Sequence, residues 1–273
     1  MATTQALSHE IAEALRCPFV PEAIERLAAA EGYLEHLWPR LAVSVGTAGF
    51  LGSALYMADM ALDAVEEVYE PLRTPEEFAG TGGETDLEQV RAVLDVFHWV
   101  QPQLLLLVAA LSEAWGRPSV GGHGRVEPRE LSERERRHLA TEVRFASPDT
   151  PPLPEVAEAL NVAEPPQLYR AVAMWPGYLE VAWEELQHLT TYPDFRRRGR
   201  ALYYYARSGA RFLAEPIEAN PEALRAAGLS DDAIATAKAA LDASLPALAT
   251  MVMHATAMRR GLGLTEREVV KPQ

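Results

Sequence analysis

Glu10–Leu41 reads EIAEALRCPFVPEAIERLAAAEGYLEHLWPRL, and Glu155–Leu186 reads EVAEALNVAEPPQLYRAVAMWPGYLEVAWEEL. Gly32 answers Gly177, an offset of 145 that holds without a gap along the whole stretch. About 13 of the 32 paired positions are identical, Gly-Tyr-Leu-Glu and Trp38/Trp183 among them. The echo continues downstream at an offset of 147: Ala54-Leu55-Tyr56 returns as Ala201-Leu202-Tyr203, and Leu94-Asp95 as Leu241-Asp242. A period this long signals a duplicated domain rather than a solenoid. The expected architecture is two homologous halves about a pseudo-twofold axis, with one cleft at their seam. The boundaries follow: a first repeat over 8–116, a linker over 117–152, a second repeat over 153–261 and a tail over 262–273.

The residues in between read as helix almost throughout, so the predicted class is all-α. Ala, Leu and Glu dominate. Apolar residues recur at three- and four-residue spacing, as in Ile24, Leu27 and Ala28, then Leu34, Leu37, Trp38 and Leu41. Ser8 is placed as the cap of the first helix, and Ser230 as the cap of the last long one. Pro21 and Pro166 suit the first turn of the second helix in each half. Thr81-Gly82-Gly83 and Asn220-Pro221 separate helices within the halves. The linker combines a loop at Gly116–Gly124, a charged helix over Glu130–Glu142 and an extended proline-rich run at Pro148–Pro154. Leu41–Leu62 is long enough to span a membrane. Its Gly, Ala, Ser and Asp content reads instead as one buried helix crossed closely by another.

Of the 273 residues, 48% are hydrophobic, and the net charge is −14. That surface repels phosphate backbones and anionic lipid, so nucleic acid and membrane are excluded as partners. Cys17 is the single cysteine. It can form neither an intrachain disulfide nor a redox pair, and it reads as a small buried hydrophobe. The first residues lack a basic segment followed by an apolar run, so the expected compartment is the cytoplasm. The histidines are scattered, and none sits at metal-ligand spacing beside carboxylates; no metal and no cofactor are expected.

Two places could carry chemistry. In Val93–Ser112, Pro102 is expected to kink or break a hydrophobic helix beside His98 and Gln101, exposing polar groups among apolar neighbours. His98 reads either as a site residue or as a satisfied core histidine. The second place is the joint before each repeat's second helix, where Glu22 and Gln167 are repeat mates that would face one another across the seam. Their plainer reading is as first-turn polar residues complementing a helix dipole. His254, in an apolar helix, reads as hydrogen-bonded structure. Arg196–Arg200 reads as a solvated helix start or, alternatively, as an attractive patch at a cleft mouth.

Taken together, these residues resemble the cofactor-independent group I 2-haloacid dehalogenases. Arg16-Cys17-Pro18-Phe19-Val20 with Gly32-Tyr33-Leu34 and Trp38 is similar to that family's first repeat. Arg91-Ala92-Val93-Leu94, Phe97, Gln101-Pro102 and Leu105–Glu113 are similar to its central helix pair. Ala171–Pro176 and His254-Ala255-Thr256 are similar to its second repeat. The resemblance implies a hydrolase that removes halide from small 2-haloalkanoic acids by direct water attack, a carboxylate taking the proton. It puts the family's water-activating Asp at Leu168, the polar residue before it at Gln167, its water-holding Asn at Gln101, and its two pocket aromatics at Phe19 and Glu22. A leucine cannot accept a proton, so either the reaction is gone or the base has moved. The relocated base would be Glu22, with Gln101 or His98 as hydrogen-bond partner; Phe19, His98, Gln167 and Leu168 would bind substrate. The alternative is a member that binds a small carboxylate or apolar ligand between the repeats without dehalogenating it. A relation to the all-helical peroxidase-linked reductases is set aside, because those rely on a CxxC pair. The expected partner is a small carboxylic acid or related molecule, and a homodimer is left open.

Overall fold

The computed structural model describes residues 2–79, 83–127 and 129–268. Its elements are α1 (Ala2–Ala14), α2 (Glu22–Ala28), α3 (Tyr33–Val45), α4 (Ala48–Val68), α5 (Pro75–Ala79) and α6 (Glu84–Trp115). Then come α7 (Glu133–Ala140), α8 (Leu153–Leu160), α9 (Gln167–Val172), α10 (Pro176–Thr191) and α11 (Pro193–Gly209). A 3-10 turn at Ala210–Phe212 leads to α12 (Pro221–Ala226) and α13 (Asp231–Gly261). Among the described residues the fold is all-α; the β-like features are isolated bridge positions, Val120 paired with Ile217 and a further one at Thr47.

The long helices α4, α6, α11 and α13 each pack against the other three, and α6 against α13 is the most extensive contact. The short helices attach crosswise: α2 lies on α13, and α9 lies on α6. The centre is apolar because α6 is almost continuously so. Asp86–Trp115 is long and apolar enough to cross a membrane, but 89% of its apolar window is buried inside the protein. Each fully buried leucine there, such as Leu105 and Leu111, contributes about 1.5–3 kcal/mol against chain entropy.

Several local expectations are corrected. Pro102 does not break its helix: α6 runs unbroken past it, as α13 runs past Pro246. Each proline forfeits one backbone hydrogen bond, and burial of the surrounding turns offsets that loss. Leu41–Leu62 is two helices, because Gly46 ends α3 and the Thr47 side chain caps α4 through Phe50 N–H. Ser8 lies inside α1 and its hydroxyl donates back to the Thr4 carbonyl. Pro21 and Pro166 stand one residue earlier than expected, as extended N-cap residues. Ser230 does cap α13, accepting from Ala233 N–H at 3.1 Å. Thr81 and Gly82 lie outside the described residues, as do 269–273 of the tail. The 116–124 loop packs closely on 212–215: a Cβ on Gly124 would sit 2.0 Å from the Phe212 carbonyl oxygen, so only glycine fits.

His98 belongs to a buried ionic network. Asp95 receives Arg134 through both carboxylate oxygens and Arg259 at 2.5 Å, and His138 Nε2 lies 2.8 Å from it. Glu268 receives Arg134 at 2.5 Å, lies 3.0 Å from His98 Nε2, and donates its backbone N–H to Asp59. Burial alone would raise the Glu268 pKa, but the hydrogen bonds from His98 and Arg134 outweigh it and hold the group at about 2. The same balance holds Asp95 well below the usual carboxylate range. Both folded values are depressed, so the stability they contribute is present above the ordinary carboxylate pKa and is lost as pH falls toward 2. We expect Tm to drop steeply over that acid window, and Glu268→Gln to flatten part of the slope. An unchanged slope in that variant would show that Glu268 is not coupled to folding.

Candidate active site

A cleft of about 610 Å³, its open mouth included, lies where the two joints meet. Its floor comes from one face each of α6 and α13. Phe97, Val100, Gln101 and Leu104 follow an i, i+3, i+4, i+7 pattern, and so do Ser244, Ala247, Leu248 and Met251. The two sets are mates at the 147-residue offset. The walls are mates at 145: Phe19 with Glu164, Pro21 with Pro166, Glu22 with Gln167, Ala23 with Leu168. Arg26 and Val162 complete the lining.

Five of the six expected site residues are therefore brought together: Phe19, Glu22, Gln101, Gln167 and Leu168. His98 is the exception. It sits about 100° around α6 from Phe97, off the cleft-facing side, and turns to Glu268 instead. It is a satisfied core histidine, and neither it nor Gln101 is the hydrogen-bond partner of Glu22, whose carboxylate pairs with Arg26.

The joints are stitched directly. Gln167 Oε1 accepts from Glu22 N–H at 2.8 Å, and Gln167 Nε2 donates to the Val20 carbonyl at 3.1 Å. One amide thus satisfies the first free N–H of α2 and the carbonyl before it. Gln167→Ala is expected to cost about 1–2 kcal/mol by removing both bonds. A urea midpoint that does not move would show that water replaces them fully.

The residues mated by the 145-residue offset carry unlike chemistry on the two sides of the cleft. Glu22 is half-buried and ion-paired with Arg26 one turn on. Burial raises its pKa first of all, Arg26 pulls it back, and Glu164 and Glu25 raise it again; the net direction is upward. A carboxylate so placed is a better base than an exposed one. Gln101 Oε1 and Ser244 Oγ are buried and have no hydrogen-bond partner among the described residues. Such orphans against an otherwise apolar cleft are suited to a ligand or water. Phe19 packs on Phe97 and Phe145 at ring-centre distances of 5.2 and 5.1 Å, closing one end. Leu168, fully buried, supplies an apolar wall where the resemblance puts an Asp. Sequence reasoning missed Ser244 and Arg26. The 147-residue offset applied to Phe97 points straight to Ser244.

A family pattern described as halocarboxylic acid dehydrogenase DehI matches residues 18–157, just over half of the chain. The protein belongs to this family. A configuration-inverting 2-haloacid dehalogenase from Pseudomonas sp. (strain 113) is 27% identical over 189 residues. That match covers 66% of this chain and 61% of the relative, so it spans less than two thirds of the relative's length. Among solved structures, a D-2-haloacid dehalogenase mutant in complex with D-2-CPA superposes with a TM-score of 0.84 at 17% identity. It covers 95% of this chain and 92% of the other. A D-2-haloacid dehalogenase with L-LA gives 0.81 at 19%, covering 93% and 90%. These likenesses place the all-helical dehalogenase fold over nearly the whole chain. In this family member the position that the resemblance assigns to the acidic residue is a leucine, and the cleft is lined by two carboxylates, the half-buried Glu22 and the exposed Glu164.

Proposed function

We propose that the cleft hydrolyses a small 2-haloalkanoic acid, with Glu22 as the proton acceptor. Water adds to C2 from the side opposite the halogen. The new C–O bond forms as the carbon–halogen bond breaks, halide leaves with the electron pair, and Glu22 takes the water's proton. Back-side attack inverts C2 and yields a 2-hydroxy acid. Arg26, the only cation among the lining residues, draws the substrate carboxylate toward the mouth. Phe19, Phe97 and Leu168 hold the alkyl body, and Gln101 Oε1 with Ser244 Oγ hold the water. The reading is carried by one observation: a desolvated carboxylate with a raised pKa lies in the cleft beside orphaned polar atoms. The reaction needs no cofactor, since the base and the water suffice.

We further propose that the halves are related by a pseudo-twofold axis through this cleft. The mated lining and the crosswise packing of α2 on α13 and α9 on α6 support it. A free, buried Cys17 thiol fits a reducing cytoplasm.

The test is halide release from each enantiomer of 2-chloropropionate, with the configuration of the lactate product. The rate should rise with pH through an apparent pKa above 4.5, because the base must be ionised. Leu168 favours one second reading, a member that binds the acid without turning it over. A thermal shift with 2-chloropropionate and no halide would replace the first reading with it.

A further inference from the structure

Among the described residues there is a larger cavity than this cleft. It lies on the other side of α13, between that helix and α10–α11, and encloses about 1670 Å³ with its mouth. Ser244 and Leu248 face the first cleft; Leu245, Ala249 and His254 face the second.

Three observations there point to a ligand. His254 is fully buried, and its Nε2 has no partner. The Tyr169 hydroxyl lies 2.6 Å from His254 Nδ1. Tyr169 is itself fully buried, so its O–H must donate, and Nδ1 is the acceptor within reach. Burial lowers the His254 pKa to about 4, so the ring is neutral and its one proton sits on Nε2. The lining residue His254 therefore holds an unused N–H donor with almost no accessible surface, which costs stability unless something accepts from it. Arg196 and Arg200, one turn apart on α11, also line this cavity. Neither has an ion-pair partner among the described residues, although acidic side chains outnumber basic ones 39 to 25. The neighbouring Arg197 and Arg198 are both paired, to Asp194 and Glu67. Asp242 at the rim is taken by Lys238. Between donor and cations the wall is apolar and aromatic: Phe195, 5.5 Å from the His254 ring, with Met253 and Tyr203.

We propose that this cavity is a second binding site, separate from the α2–α9 cleft, for an organic anion with an apolar or aromatic body and an oxygen acceptor at the end away from its charge. The carboxylate sits between Arg196 and Arg200, and the far oxygen accepts from His254 Nε2. The proposal is independent of the hydrolase reading, because no residue of the first cleft takes part.

The test uses the full chain and 4-acetylbenzoate as probe, followed by calorimetric titration and by the histidine side-chain ¹H–¹⁵N spectrum. The expected result is saturable binding that shifts the His254 Nε2–H resonance. It weakens by about tenfold or more in Arg196→Gln/Arg200→Gln, as loss of charge-assisted bonds dictates, and disappears in Thr250→Trp, which fills the cavity from its wall. All three substitutions are at accessible positions, so the fold persists. Excess 2-chloropropionate leaves the probe bound. No saturable binding, or binding that survives both variants, or displacement by 2-chloropropionate, overturns the proposal.

Discussion

Under the proposed hydrolysis, Glu22→Gln is expected to lower turnover of 2-chloropropionate by about 100-fold or more, the range over which a positioned general base acts. The amide keeps the size of the side chain and leaves the Glu22 N–H bonded to Gln167, so the joint stays intact. KM changes little, because the apolar walls and Arg26 still hold the acid. Two further readouts separate a proton acceptor from a structural residue. The acid limb of the pH–rate profile, set by the raised Glu22 pKa, vanishes in the variant. Leu168→Asp introduced beside Glu22→Gln recovers part of the rate, since it returns a carboxylate to the opposite wall of the same cleft. Unchanged halide release in Glu22→Gln would remove Glu22 from the chemistry altogether.

Asp95→Asn is the largest expected loss of stability, about 3–5 kcal/mol. Asp95 is the counter-charge of Arg134 and Arg259 and touches His138. The Arg259 side chain is only 6% exposed. An asparagine is neutral, so the guanidinium would be left buried without its anion, which costs far more than a surface pair contributes. The comparison with an exposed pair is direct: Lys238→Ala, which breaks the bridge to Asp242, should cost well under about 1 kcal/mol. Denaturant midpoints of the two variants measure the contrast. A similar small loss in both would mean that water reaches the Asp95 network.

The cleft lining was legible where it followed the 145-residue sequence offset and illegible where it depended on helix rotation. Glu22 and Gln167 are mates in the sequence, and a single amide joins them in the fold. Phe19, Gln101 and Leu168 came through the family likeness and line the same cleft. His98 was misplaced because it lies only about 60° from Gln101 on the helix, so spacing alone does not separate them, yet about 100° from Phe97, past the edge of the cleft-facing side. The partner that claims it, Glu268, is 170 residues away. Pro102 misled for a different reason. Its local penalty is real, but packing around α6 and α13 offsets one missing hydrogen bond.

The sequence by itself determined the helical class and the pairing of the two joints, because periodicity and the 145-residue offset are properties of the linear order. Only the tertiary structure decided which polar groups are left without partners: Gln101 and Ser244 at one cleft, His254 Nε2 at the other. Desolvation and unmet hydrogen bonds depend on what closes over a side chain from every direction, and α13 settles that by presenting opposite faces to the two cavities.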